Sequence, residues 1–410
     1  MGEKMKGQKQ KVLFLTNILS PYMHEFFENL AQYKEIDFKV AACAENEPDR
    51  AWTLDYLNNA KYNYEILKDV LLVKIPLQNR VFYLGGLSLL KDILFGGYST
   101  IIFKGGTRFL GPFYALMSKL TGKKTILWEE DNFAGTTPLK KIIKPFYINK
   151  FFFSDFIALG KSVKEFLATM VPEEADSIYY TYYTVNNDKF RQRYLKIRRK
   201  KSLVKKVLKL DEKQKIILSI ARFIDDKNLF TFIDSIKVLK REEKNIKCLL
   251  IGNGHLEAKL KKYIAERKLQ DTVTLAPFKQ YKKLTYFYSI ADVFVLPSRV
   301  EPWGLVVNEA MLFDLPVIVS DRVGCGSDLV QEGHNGFRFP YKDHTELASK
   351  IKRVLSSSEN LGNNSYEIIK DKNFDHASRT IIAASYREEG FRLSSDGNYS
   401  SATPLQKSNR

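Results

Sequence analysis

Two carboxylates eight positions apart, Glu301 and Glu309, stand on either side of what the sequence reads as a loop and a helix start. Before them runs Val293-Phe294-Val295-Leu296, closed by Pro297. A short apolar run bounded in this way reads as a buried parallel strand. Glu301 falls in the loop beyond that strand. Glu309 falls inside 304–313, which predicts a helix apolar on nearly every side, with Pro302 fitting its first turn, where a missing N–H costs little. A carboxylate in such surroundings needs a partner, because an unpaired buried charge is costly. Ribose hydroxyls would serve Glu309, and so would a lysine or arginine. Glu301 reads equally as a solvated loop residue.

Cations stand at the end of another strand-like run, 215–221, which leads into Arg222-Phe223-Ile224-Asp225-Asp226-Lys227-Asn228. In open α/β sheets ligands bind outside the carboxyl ends of the strands. A diphosphate in this loop would meet Arg222, Lys227 and the start of the next helix. The competing reading pairs Arg222 with Asp225 or Asp226. After the run 247–251 come Gly252, Asn253 and Gly254, which permit a tight turn and close backbone approach. Glu257 stands where a dinucleotide fingerprint has its third glycine, and the turn 17–22 has none, so hydride chemistry is poorly supported. The loop Val323-Gly324-Cys325-Gly326-Ser327 offers a similar approach, or an ordinary turn capped by Ser327 or Asp328.

The run Glu301-Pro302-Trp303-Gly304-Leu305-Val306-Val307-Asn308-Glu309 resembles the Glu-x7-Glu signature of retaining glycosyltransferases of the GT-B fold, family 4, the glycosyl transferases group 1. The likeness continues through Ala310-Met311, Leu315-Pro316-Val317-Ile318-Val319-Ser320-Asp321, Gly324-Cys325-Gly326, Asp328-Leu329-Val330 and Gly333-His334-Asn335-Gly336-Phe337. It is looser in the first half, at Tyr180-Thr181, Val185-Asn186, Glu47-Pro48, Arg50 and Trp52.

The resemblance implies an α/β protein of two Rossmann-like, doubly wound parallel-sheet domains facing across a cleft. It implies retaining transfer of a hexosyl-type group from a nucleotide diphosphate sugar to an acceptor hydroxyl. Glu301 would lie by the sugar and Glu309 would hold the ribose. Arg222 and Lys227 would take the diphosphate charge as it leaves. Gly252, Phe278, Gly304, Leu305 and Val306 would complete the donor site, with Phe278 at the base; by itself Phe278 reads as a core aromatic. The chain has no Asp-x-Asp triplet, which the metal-dependent GT-A solution needs. No metal and no cofactor are therefore expected, and stabilising the departing diphosphate falls to protein cations.

The first domain would take the acceptor, through loops at 20–24, 104–108 and 129–132. Many relatives carry a histidine here. The loop after 99–104 has Lys104 and Arg108 instead, which leaves Glu130 or His24 as the acceptor-side base, with His24 facing solvent as its alternative.

These residues must be held by a regular scaffold. Strand-like runs at 11–16, 36–42, 70–77, 99–104, 124–129, 155–159 and 178–183 alternate with helical stretches, which predicts a parallel sheet over 1–190. A second alternation has strands at 215–221, 247–251, 272–275, 293–296 and 316–319, forming a domain over 211–375. The amphipathic stretch within 376–390 is expected to return to the first domain. Residues 191–210 crowd Arg191, Arg193, Lys196, Arg198, Arg199, Lys200, Lys201, Lys205, Lys206 and Lys209 into a basic helix or linker. Its bland role is a solvated face, its sharper one a membrane or polyanion contact. Residues 391–410 are polar, without periodicity, and read as disordered.

Charge is the compositional outlier. The chain has 65 Lys and Arg against 47 Asp and Glu, a net +18, while 44% hydrophobic residues allow large cores. Cys43, Cys248 and Cys325 show no disulfide or metal spacing, which favours a reducing, cytoplasmic setting. There is no membrane-spanning run, and Val12–Leu15 is too short for a secretory signal. Expected partners are a nucleotide-sugar donor, a glycan or lipid-linked acceptor and an anionic membrane surface at the inner face, without nucleic acid. The rivals are a GT-B sugar-nucleotide epimerase and a non-enzymatic polyanion-binding protein.

Overall fold

The computed structural model describes residues 9–45, 55–75, 80–104, 110–131, 144–172, 177–278 and 281–386, together with 392–393 and 399–400. Of the stretches singled out above, Glu47, Pro48, Arg50, Trp52, residues 76–77, 105–108, Asn132, residues 387–390 and most of 391–410 lie outside the described residues. Two compact units divide the chain: Met1–Asp131, Thr136–Tyr183 and Phe374–Arg410 in one, Asn132–Gly135 and Thr184–Asn373 in the other.

The first unit contains β1 (Gln10–Ile18), β2 (Ile36–Ala44), β3 (Asn63–Ile66), β4 (Val70–Ile75), β5 (Arg80–Gly85), β6 (Thr100–Lys104), β7 (Lys124–Glu129), β8 (Asp155–Leu159) and β9 (Ile178–Thr181). Seven of them form a parallel sheet in the order β3-β2-β1-β6-β7-β8-β9. The centre of β1, Val12 to Leu15, is buried, as a strand covered on both faces must be. The helix Pro21–Leu30 begins on Ser20, whose hydroxyl accepts the Met23 N–H, and Pro21 supplies a preset φ. Its Met23, Phe26, Phe27 and Leu30 recur at helical spacing and bury against Phe14 and Phe38. The helix Phe374–Ser385 enters the same core through Ala377, Ile381 and Ile382, and Asp375 accepts from Asn29 and Tyr33.

The run at 70–77 departs from expectation. Its described part, Val70–Ile75, is not a strand of the main sheet but half of an antiparallel pair, β4 with β5. The connection between them is far too short for the crossover that parallel pairing requires.

The second unit contains β10 (Lys215–Ile220), β11 (Ile246–Ile251), β12 (Val273–Ala276), β13 (Val293–Leu296), β14 (Val317–Ser320) and β15 (Gly336–Phe339). They form a parallel sheet in the order β12-β11-β10-β13-β14-β15. Ile217, Cys248, Leu250, Val295 and Ile318 meet Phe232, Ile236, Leu347 and Ile351 in one core. The helix His344–Ser356, which supplies Leu347 and Ile351, is capped by Asp343, whose carboxylate accepts the Thr345 and Glu346 N–H groups. The basic stretch is helical, as Asn187–Ile197, a 3-10 turn Arg198–Lys200, and Lys201–Val207. Arg191 holds it to Asp314 at 2.5 Å and Lys201 to Asp292 at 2.9 Å. No helix of the described residues is long and apolar enough to cross a membrane.

Candidate active site

In the second sheet the strand order reverses at β10, which lies between β11 and β13. The connections leaving β10 and β13 therefore run to opposite sides, and a crevice opens at their carboxyl ends. Arg222 and Lys227 follow β10; Glu301 follows β13.

Local hydrogen bonds hold these two loops. The Phe223 N–H donates to the Asn253 carbonyl at 2.7 Å, and the Leu256 N–H donates to the Phe223 carbonyl at 3.0 Å. A Cβ on Gly254 would lie 2.4 Å from the Phe223 carbonyl oxygen, and one on Gly252 would lie 1.9 Å from that of Ala221. These glycines are required by the packing of one loop on the other. The Gly252 N–H is already given to the Ala276 carbonyl, so Gly252 offers a ligand no backbone donor through it.

The second strap joins the loop of Lys227 to that of Glu301. The Arg299 N–H donates to the Asp226 carbonyl at 2.7 Å, and the Arg299 guanidinium meets the Asp226 carboxylate at 2.9 Å. Asn228, at φ 53°, donates its side-chain amide to the carbonyls of Pro297 and Tyr341. Asparagine tolerates that left-handed conformation better than most residues. Asp225 meets His255. Both acids that competed for Arg222 in the sequence thus have other partners.

Between the straps, Lys227 Nζ lies 2.6 Å from Glu301 Oε2, with side chains 13% and 15% exposed. Glu301 is not a solvated loop residue. Its backbone bridges to Val323, and its carbonyl accepts the Gly324 N–H, so the glycine loop after β14 forms one wall. Burial, with the Glu301 and Asp328 carboxylates close by, pushes the Cys325 thiol well above its ordinary value.

The helix carrying Glu309 spans Leu305–Met311 and starts after Gly304, at φ 104°. Pro302 thus precedes the helix instead of opening it. A Cβ on Gly304 would lie 2.9 Å from Leu296 Cδ2, so glycine is needed both for conformation and for space. Leu305 and Val306 occupy the first turn, half-buried. Glu309 is 1% exposed, and the Tyr288 hydroxyl donates to its Oε2 at 2.7 Å. Beside it the Trp303 indole N–H donates to Asn308 at 2.9 Å. The Tyr288–Glu309 pair is not legible in the sequence, because Tyr288 sits on a separate helix, Tyr281–Ile290, with no spacing to link it to Glu309. Phe278, beyond β12, is 51% exposed, which removes its reading as a core aromatic.

In the first unit Lys104, at the end of β6, is buried against Glu130 and lies over the rings of Trp128 and Tyr183. Burial alone would lower this lysine, but the adjoining Glu130 carboxylate more than offsets it, so the ammonium is held above its usual value. Glu130 is thus committed to an ion pair. His24 does not face solvent freely; its Nδ1 lies 3.1 Å from the Tyr62 hydroxyl and its ring packs on Tyr56. A hollow of about 330 Å³ lies at the opposite, amino end of the second sheet, lined by Lys201, Lys215, Asp292 and Asp314 among others. It belongs to neither set of loops.

Residues 200–371 match the family described as Glycosyl transferases group 1. That match falls within the second unit. Among curated relatives, the amylovoran biosynthesis glycosyltransferase AmsK of Erwinia amylovora is 33% identical over 144 residues, covering 34% of this chain and 35% of the relative. The alpha-D-kanosaminyltransferase of Streptomyces kanamyceticus is 28% identical over 178 residues, covering 43% and 46%. The chain thus spans about a third to a half of the length of these relatives. Over nearly the whole chain, the crystal structure of Anabaena HepE in complex with UDP superposes with a TM-score of 0.69 at 17% identity, covering 91% of this chain and 98% of that one. That likeness fixes the fold: two parallel-sheet α/β units of the GT-B kind.

Proposed function

We propose that the protein is a retaining glycosyltransferase. It moves a hexosyl-type group from a nucleotide diphosphate sugar to an acceptor hydroxyl on a glycan or lipid-linked saccharide, without a metal, at an anionic membrane face. The observation that carries this reading is the Lys227–Glu301 pair, at 2.6 Å, where the strand order of a group 1 domain reverses. When the bond from sugar to diphosphate breaks, negative charge grows on the leaving phosphate. Cations fixed in advance around that position lower the barrier without reorganising. Arg222 and Lys227 are the cations of the loop after β10, and Arg299, in the loop after β13, is spent on Asp226. Glu301, held by Lys227, faces the sugar side and orients or stabilises it.

Glu309, held by Tyr288, binds the ribose, and the exposed Phe278 stacks on the base. The names of AmsK and the kanosaminyltransferase, and the UDP bound to HepE, support a nucleotide-sugar donor and a saccharide product.

A thermal-shift panel of nucleotide sugars tests this, since a ligand that binds only the native state raises the melting temperature. One donor is expected to stabilise the protein and to be consumed with an acceptor, in the presence of a chelator, giving a product of unchanged anomeric configuration. Glu301→Ala is expected to remain folded and lose transfer. Full turnover by that variant would overturn the assignment. An inverted product would remove the retaining mechanism, and an epimerised sugar formed from donor alone would point to an isomerase.

A further inference from the structure

The stretch 189–210 holds 11 lysines and arginines and no acid, against a net charge of +18 for the chain. The donor site uses none of them. Three are committed within the second unit: Arg191 to Asp314, Lys201 to Asp292, and Lys205 to the carbonyls of Glu212 and Gln214. Six others, Lys196, Arg198, Arg199, Lys200, Lys206 and Lys209, are exposed, and none pairs with a described carboxylate.

Apolar side chains stand among them. Leu195, Leu203 and Val207 are 46%, 57% and 72% exposed. Leu203 and Val207 are four apart on the Lys201–Val207 helix and so share a face. Arg199 and Lys200 precede that face by a turn, and Lys206 lies beside it. Val204 and Lys205 are buried, which directs the helix's other side into the unit.

Anionic phosphates alone would account for the cations but not for the leucines and valine, whose exposure to water is unfavourable. A surface that offers both phosphate and the edge of acyl chains satisfies both sets. Basic helices with apolar side chains lie in the headgroup region of anionic bilayers for this reason. We infer that the outward face of residues 195–207 docks this protein on an anionic lipid bilayer, with Lys196, Arg199, Lys200 and Lys206 on headgroup phosphates and Leu195, Leu203 and Val207 inserted between them.

This inference gives a location to the membrane partner of the proposed function, and it is tested without sugar transfer. The full-length protein is mixed with vesicles of phosphatidylglycerol and phosphatidylcholine, or of phosphatidylcholine alone, and sedimented. Binding to the anionic vesicles only is expected, weakening as salt rises. The variant Arg199→Glu, Lys200→Glu, Lys206→Glu is expected to bind roughly a hundredfold more weakly. The variant Leu203→Ser, Val207→Ser keeps every charge and is expected to bind about tenfold more weakly. All five positions are exposed, so both variants should melt like the parent and show the same thermal shift with nucleotide sugar; that readout separates failure here from failure of the transferase reading. Equal sedimentation with neutral vesicles would overturn the inference, as would undiminished binding by the charge-reversed variant. So would tighter binding to a DNA duplex at equal phosphate concentration with the serine variant unaffected, which would mark a polyanion contact.

Discussion

Replacing Lys227 by alanine tests both the chemistry and the architecture of the proposed donor site. The substitution removes the only ion-pair partner resolved for Glu301 among the described residues and leaves a carboxylate 15% exposed. Breaking a fully buried pair by removing one member costs about 3–5 kcal/mol, whereas an exposed pair contributes about 0.2–1 kcal/mol. At 13% and 15% exposure the pair sits between these limits, and a loss of about 2 kcal/mol is expected. For a domain of this size that lowers the melting temperature by roughly 4–8 °C. The double variant Lys227→Ala, Glu301→Ala removes the stranded charge as well. It should be more stable than the sum of the single variants by about 1–2 kcal/mol. Transfer should fall roughly 100- to 1,000-fold in Lys227→Ala through loss of a preorganised cation, and Lys227→Arg should recover part of it. The assay is urea or thermal unfolding of the set, with release of nucleotide diphosphate measured on each folded variant. A coupling within about 0.5 kcal/mol of zero, or a Lys227→Ala variant with undiminished turnover, would sink this account of the pair.

Other consequences are as direct. Tyr288→Phe deprives the buried Glu309 carboxylate of a hydrogen bond, so unfolding free energy should drop by about 1–3 kcal/mol and nucleotide binding by calorimetry should weaken; unchanged affinity would separate Glu309 from the ribose. Cys43, Cys248 and Cys325 are free and buried, and burial pushes Cys43 up to about 12. A thiol reagent at neutral pH should label none of the three in the native protein and all in denaturant. Burial also raises Tyr56, Tyr114 and Tyr179 to about 12. Below about pH 10 these phenols are protonated in both states and their contribution is fully present. Between there and about 12 the unfolded chain alone sheds the protons, so stability should fall as pH rises. Phenolate absorbance should lag that of an unfolded control across the same interval.

Part of the scaffold was legible because the signal is local. β1, β7, β8 and β13 each carry a short apolar run, at 12–15, 126–128, 156–159 and 293–296, and a strand buried on both faces is apolar over most of its length. Edge strands escape that test. β3, Asn-Tyr-Glu-Ile, exposes three of its four residues, and β15, Gly-Phe-Arg-Phe, lies at the rim of its sheet. The 70–77 run is apolar enough for a core strand, yet the nearness of β5 along the chain gives its described part, Val70–Ile75, an antiparallel partner. Periodicity reports that a strand exists and is silent on which strand it pairs with.

The two βα alternations, the loops that bear Arg222, Lys227 and Glu301, and the burial of Glu309 are encoded locally, since each follows from residues close along the chain. Which side chains meet is settled by the fold. Lys227 and Glu301 are 74 residues apart, and they touch because β10 and β13 are neighbours where the strand order reverses. Tyr288 reaches Glu309 across two helices, and Lys104 takes Glu130 across two strands. Such pairs depend on strand order and helix docking, which arise from the packing of the whole apolar core, and no short-range pattern encodes them.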